Sequence, residues 1–299
     1  MTITRALVRR TDDGRALLNV GCGGHFAPEW TNIDVAPRPG VLRHDLRRPL
    51  PFQDALFDGV YASHVLEHLD EEEGRTLLSE LFRVSKPGGV ARIIVPDFER
   101  ACREYLARLE EVRANPESKQ RMRYRWSLLE VIDQYSRRRP GGKMLQTLQS
   151  GDMDPDYVRA RNGAEFEPLL AAMADVTSCT RRPAGEARTG PIRRLKRWVY
   201  RQRFRLGDGV GELHRWAYDS FSLPEALRAV GFEDTRIVPC TESRMGSWLE
   251  FGLDADPVSR KERKPDSLYV EGVRPRCEAC HLSGATITNP LHNDASAAQ

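Results

Sequence analysis

Within five residues the sequence places His64, Glu67 and His68, and upstream of them stand Gly21-Cys22-Gly23-Gly24, Asp34 and Asp45. Glycines after a strand let the backbone turn sharply and approach a ligand with no Cβ in the way. A carboxylate at Asp34 can accept hydrogen bonds from both hydroxyls of a ribose, and Asp45 is placed to reach an adenine amino group. An imidazole at His64 suits a general base, because an unperturbed pKa of about 6.5 leaves it largely neutral at cytosolic pH. The set therefore points to an adenosine-bearing cofactor. A nicotinamide dinucleotide is disfavoured: the third position of the G-x-G-x-x-G/A frame falls on Phe26, and Asp34 comes sooner than the expected ~20 residues.

These residues need a scaffold, and the first hundred positions supply the rhythm of a parallel, doubly wound α/β sheet. Strands are predicted at Ala16–Val20, Thr31–Asp34, Val41–Asp45, Phe57–Ala62 and Val90–Val95. An amphipathic helix over Asp70–Val84 carries Leu77, Leu78, Leu81 and Val84 at helical spacing and is stopped by Lys86-Pro87-Gly88-Gly89. Further on, Arg-rich helical stretches such as Ala101–Ala114 and Arg121–Arg138 read as an inserted cap. A helix at Ser222–Val230 with Ser222 as N-cap, and strands at Asp234–Pro239, Trp248–Leu253 and Ser267–Val273, return the chain to the sheet. The expected division is a Rossmann-like core over 1–98, a helical insertion over 99–215 that binds the acceptor, a completing helix and strands over 216–275, and a flexible tail over 276–299.

At 299 residues, with 40% hydrophobic and 30% charged side chains, the chain can bury a core and is too apolar to be disordered. Neither a signal-peptide core of about 7 to 15 apolar residues nor a span of ~18 is present, so a cytoplasmic protein is expected. Cys22, Cys102, Cys179 and Cys240 stand singly, which suits reduced thiols. Residues 181–207 hold ten Lys or Arg against one Glu. Within them, 192–206 has the pattern of a basic amphipathic helix, able to contact an anionic membrane or grip a phosphorylated acceptor, though a solvated face is the commoner meaning.

Four stretches in succession, LLNVGCGGHFAPEWTNID (17–34), DLRRPLPFQDALFD (45–58), YASHVLEHL (61–69) and RVSKPGGVARIIVP (83–96), resemble the motifs of class I S-adenosylmethionine-dependent methyltransferases with a shortened glycine loop. The resemblance covers about the first hundred residues and 222–239. It implies that Gly21, Cys22, Gly23 and Ser63 hold S-adenosyl-L-methionine, that Asp34 binds its ribose and that Asp45 contacts its adenine. Asn19 departs from the acidic residue that many relatives carry before the loop.

The resemblance implies methyl transfer, an in-line displacement in which holding the acceptor at ~3 to 3.5 Å and aligned matters more than acid-base groups. His64 is the first candidate base, with His214 and Tyr218 further candidates at the junction of cap and core. O-methylation of a small molecule or glycan, which can be anionic or lipid-linked, is the leading expectation. The alternatives are N-methylation of a small molecule and a non-catalytic relative that binds the cofactor or acts as a scaffold. No nucleic-acid partner is expected, since Ala62-Ser63-His64-Val65 lacks the Asn/Asp-Pro-Pro-aromatic signature of nucleobase methylation and no RNA-recognition aromatic motif is present. His64-Val65-Leu66-Glu67-His68 also matches the zinc pattern H-x-x-E-H, but no third ligand is nominated, so no metal is expected and neither zinc nor chelator should alter activity. Cys277-Glu278-Ala279-Cys280-His281 fits covalent haem attachment, yet spare thiols near a loose tail are the expectation.

Overall fold

A computed structural model describes residues 8–137, 141–163 and 213–276. The basic stretch 181–207, Cys179 and the Cys277–Cys280 pair lie outside those residues. Seven strands form one sheet in the order β3-β2-β1-β4-β5-β7-β6. They are β1 (Leu17–Val20), β2 (Thr31–Asp34), β3 (Val41–Arg43), β4 (Phe57–Ser63), β5 (Ser85–Pro96), β6 (Glu233–Ile237) and β7 (Ser267–Val273). The first five are mutually parallel, and β7 lies antiparallel between β5 and β6. This is the expected Rossmann-like α/β arrangement, completed from the carboxyl-terminal part of the described chain.

Each face of the sheet has its own core. Leu18, Val20, Val60, Ala62, Ile93 and Val95 pack against Leu77, Leu78 and Leu81 of helix α1 (Glu71–Val84) and Leu223 and Leu227 of helix α6 (Ser222–Ala229). Alternate residues on the other side, Leu17, Tyr61 and Ile94, join Trp30, Met245 and Trp248. Between them come α2 (Phe98–Ala114), α3 (Ser118–Ser136), α4 (Gly142–Ser150) and α5 (Pro155–Asn162). Trp126, Leu129, Met144, Leu148, Met153 and Val158 form a separate cluster there.

Three local expectations are corrected. Trp248–Phe251 is a 3-10 turn rather than a strand, set off by left-handed Ser247 and Gly252. Ser222 is the first residue of α6 rather than its cap, and in the turn ahead of it Asp219 Oδ1 accepts from the amides of Phe221 and Ser222, while Ser222 Oγ accepts from the Asp219 amide. α1 does stop ahead of Lys86–Gly89, but that stretch belongs to the following strand rather than preceding it. That helix, opened by an Asp70–Glu73 capping box, ends at Val84, and Lys86–Gly89 forms the irregular start of β5 with Gly88 at φ +79°. Among the described residues no helix is long and apolar enough to cross a membrane.

Candidate active site

The carboxyl ends of β1 to β5 converge on one edge of the sheet, where open α/β sheets bind their ligands. At the end of β1 the glycine loop turns through Gly21 and Gly23, at φ +65° and +57°. The amides of Gly21 and Cys22 both donate to the Ile33 carbonyl, tying the loop to β2. Asp34, at the end of β2, accepts from the Gly23 amide at 2.8 Å and the Ala36 amide at 2.7 Å, one on each oxygen. Each oxygen keeps a lone pair for a ribose hydroxyl. A Cβ on Gly23 would meet nothing within 4 Å, so the backbone there borders open space that a ligand can fill. The Cys22 thiol is buried, and burial and Asp34 push its pKa up to about 12, so it is a packing group and not a nucleophile.

Asp45 lies just past β3 and is clamped by Arg47, through Nε at 3.0 Å and Nη2 at 2.9 Å, which holds its carboxyl below the usual range. Asn19 is buried in β1, and its Nδ2 has no acceptor. Replacing Asp34 by Ala should weaken cofactor binding by about 1.5 to 3 kcal/mol, since its bonds involve a charged acceptor. Calorimetric titration with S-adenosylhomocysteine measures this, and unchanged affinity in a folded variant would remove Asp34 from the site.

Ser63 ends β4, and His64 follows with φ +54°, a left-handed conformation that only a few per cent of residues other than glycine adopt. Its amide donates to the Ile94 carbonyl, its Nε2 lies 2.9 Å from Ser267 Oγ, and its Nδ1 lies 3.2 Å from Glu67 Oε1. That last contact is a close approach and not an aligned hydrogen bond, because both Glu67 oxygens are buried without a hydrogen-bond donor. Burial opposes ionisation of Glu67, but the His64 imidazole beside it outweighs burial and holds the carboxyl below its usual range.

His214 reaches this cluster from 146 positions beyond His68. Its amide donates to Gln134 O at the end of α3, and the Glu67 carbonyl accepts from the amides of Arg215 and Trp216. The Arg215 side chain pairs with Asp70 and Glu73 of the α1 cap. The His214 ring stands edge-on to His68 at 5.1 Å and to Tyr135 at 5.3 Å, and burial lowers its pKa to about 3, leaving it neutral. Tyr218 is placed differently. Its ring belongs to the core of the α1 face and its hydroxyl lies against Gly74, where a Cβ would not fit, so burial raises its pKa and takes it out of reach as a base.

The structure thus gathers His64, His214 and, from the H-x-x-E-H stretch, Glu67 and His68 on one side, and Gly21, Cys22, Gly23 and Asp34 on the other. Nothing local in the sequence joins His214 to His68. A cavity of about 290 Å³ lined by Arg15, Asp58, Lys86 and Arg244 opens at the amino ends of the strands, away from this edge.

Residues 26–93 match the model of the methyltransferase domain family. No curated protein matches the chain. Among solved structures the chain is similar to a SAM-dependent methyltransferase from Archaeoglobus fulgidus, at 14% identity over 89% of this chain and 86% of that one, with a TM-score of 0.35. It is also similar to a possible histamine N-methyltransferase from Thermotoga maritima, at 11% identity over 86% and 81%, with a TM-score of 0.36. Likenesses that distant say nothing of an acceptor. The glycine loop and Asp34 at the carboxyl ends of a parallel sheet belong to a Rossmann-like α/β fold. More particularly, the match over residues 26–93 is to a methyltransferase domain, and it supports S-adenosyl-L-methionine as the cofactor.

Proposed function

We propose that the chain methylates a hydroxyl of a small molecule or glycan, with His64 as the base that receives the hydroxyl proton. The observation behind this is the posture of His64. A left-handed, non-glycine residue costs of order 1 to 3 kcal/mol and persists where surrounding structure over-determines it, commonly at functional sites. Here the Ile94 carbonyl, Ser267 and Glu67 fix the imidazole at the carboxyl end of β4. Glu67 faces Nδ1, which favours the proton there and leaves Nε2 to accept, either from Ser267 or from a substrate hydroxyl that displaces it.

The cofactor supplies an electrophilic methyl group on a sulfonium. Gly21 and Gly23 would give its amino-acid portion a close backbone, Asp34 would hold its ribose, and Asp45 would reach its adenine. A hydroxyl held near His64 becomes the nucleophile as its proton moves to Nε2, and alignment supplies the rest. The basic stretch 181–207 is the part of the chain suited to an anionic or lipid-linked acceptor, and a cytosolic setting suits the unpaired Cys22, Cys102 and Cys240.

His64→Gln should lower kcat for methyl transfer by about 10² to 10⁴ and leave cofactor affinity unchanged. Mass-spectrometric detection of a methyl gain across a panel of hydroxylated acceptors finds the substrate, and steady-state kinetics then compares the two proteins. Equal kcat would end the role of His64, and acceptors modified at nitrogen alone would overturn the oxygen assignment.

A further inference from the structure

The cluster around Glu67 has the composition of a metal centre. One ligand atom each from Glu67, His68 and His214 lies within 4.8 Å of the others. The Glu67 side chain is 2% exposed, and neither of its oxygens receives a hydrogen bond. A bare buried carboxylate is costly unless a cation or several donors meet it. What faces it is imidazole: His68 Nε2 at 3.9 Å and His64 Nδ1 at 3.2 Å.

The orientation of His68 is the second observation. Its Nδ1 lies 3.2 Å from the Leu213 carbonyl, which can only accept, so the ring proton sits on Nδ1 and the Nε2 lone pair points toward Glu67. A backbone carbonyl behind a histidine is the usual outer-shell support of a metal ligand. The hydrogen bonds from Arg215 and Trp216 to the Glu67 carbonyl, and from His214 to Gln134, fix the third ligand by main chain. Ligands around a tetrahedral zinc, with bonds of about 2.0 to 2.1 Å, stand roughly 3.3 Å apart, so the triad needs only to draw in by side-chain rotation.

We propose that Glu67, His68 and His214 bind one divalent first-row transition cation, with zinc or manganese as the class this two-imidazole, one-carboxylate set takes. His64 then stands beside the ion rather than in its shell. The role of the ion rests on the methyl-transfer reading above: an acceptor hydroxyl that reached it would become more acidic and pass its proton to His64 more readily. The existence of the site does not rest on that reading.

The test needs neither cofactor nor acceptor. Full-length protein carrying Cys277→Ser and Cys280→Ser, which removes the competing thiols, is stripped with chelator and titrated with ZnCl2 and, separately, MnCl2. One equivalent of at least one ion should bind. Glu67→Gln, His68→Gln and His214→Gln should each weaken binding by about 10-fold or more, and His25→Gln should not. In the protein with all histidines intact, sub-stoichiometric Mn2+ should broaden the imidazole resonances of His68 and His214 and spare those of His25 and His44, a readout that does not depend on how the variants fold. No stoichiometric binding of either ion, or binding indifferent to all three substitutions, or broadening spread evenly over the histidines, overturns the proposal. Binding without methyl transfer would leave the site standing and sink the reading of the reaction instead.

Discussion

Arg92→Met should unfold this protein more readily than any other single change described here, by about 3 to 5 kcal/mol, the cost of breaking a buried ion pair from one side. Arg92 is fully buried in β5. Its Nε donates to Asp254 at 2.7 Å, its Nη1 to Glu271 at 2.9 Å and to the Glu242 carbonyl, and its Nη2 to the Pro239 carbonyl. The guanidinium also stacks over Trp248, 4.6 Å from the ring centre. Methionine fills a similar volume but leaves two carboxylates, of which Asp254 keeps only Tyr61 and Glu271 keeps Ser243 and Arg244. A midpoint roughly 10 °C lower in a thermal melt is the expected result for a chain of this size. Burial already raises the pKa of Asp254 against the pull of Arg92, and the variant removes that pull. A carboxyl with a raised folded pKa binds more protons folded than unfolded, so stability falls as pH rises above the unfolded carboxyl range of about 4. The deficit of the variant should therefore be smaller at about pH 5 than at about pH 8. A melt within 2 °C of wild type, at any pH, would show that the network contributes no net stability.

Gly21→Ala should damage both fold and cofactor binding. The residue sits at φ +65°, where an L side chain is strained, and a Cβ there would run into Cγ2 of Val65. Left-handed strain of ~1 to 2 kcal/mol and overpacking of ~1 to 3 kcal/mol give roughly 2 to 5 kcal/mol in denaturant unfolding. The loop can relieve the clash only by loosening the Gly21 amide from Ile33, which carries Gly23 away from Asp34. A loss of at least ~10-fold in affinity for S-adenosylhomocysteine should accompany it, by the 1.4 kcal/mol per tenfold rule. Gly23→Ala is the instructive contrast, because it shares the strain at φ +57° but has open space around its Cβ. It should lose only the ~1 to 2 kcal/mol of that strain and yet lose affinity, since the added methyl enters the space assigned to the cofactor. Normal binding by a folded Gly23→Ala protein would place the cofactor elsewhere.

Much of the sheet could be read from the sequence because burial there follows simple periods. Strands β2 and β7 fall where expected to the residue, and α1 announces itself through Asp70, Glu73 and its leucines. The error at Trp248–Phe251 has a physical reason. A short aromatic run buried against Trp30 and Tyr61 has the same composition whether it is a strand or a turn, and only the conformations of Ser247 and Gly252 distinguish them. The Asp219 turn ahead of α6 is hard to read because Ser222 carries the same capping preference three residues on. The site divides in a similar way. Gly21, Gly23 and Asp34 belong to local motifs, whereas the neighbourhood of His214 is created by main-chain bonds to Glu67 and Gln134, which no spacing rule encodes.

The partners of Arg92 have a consequence for synthesis of the chain. Asp254 and Glu271 lie 162 and 179 residues after it. While the first hundred residues leave the ribosome, β5 carries a cation destined for a dry interior with no counter-charge yet made, and its edge waits unpaired for β7. The amino-terminal half, although it holds all the cofactor motifs, therefore cannot close its own interior. Folding to the native state is deferred until Asp254 and β7 have emerged, and in that interval the open edge of β5 is a surface in need of a chaperone.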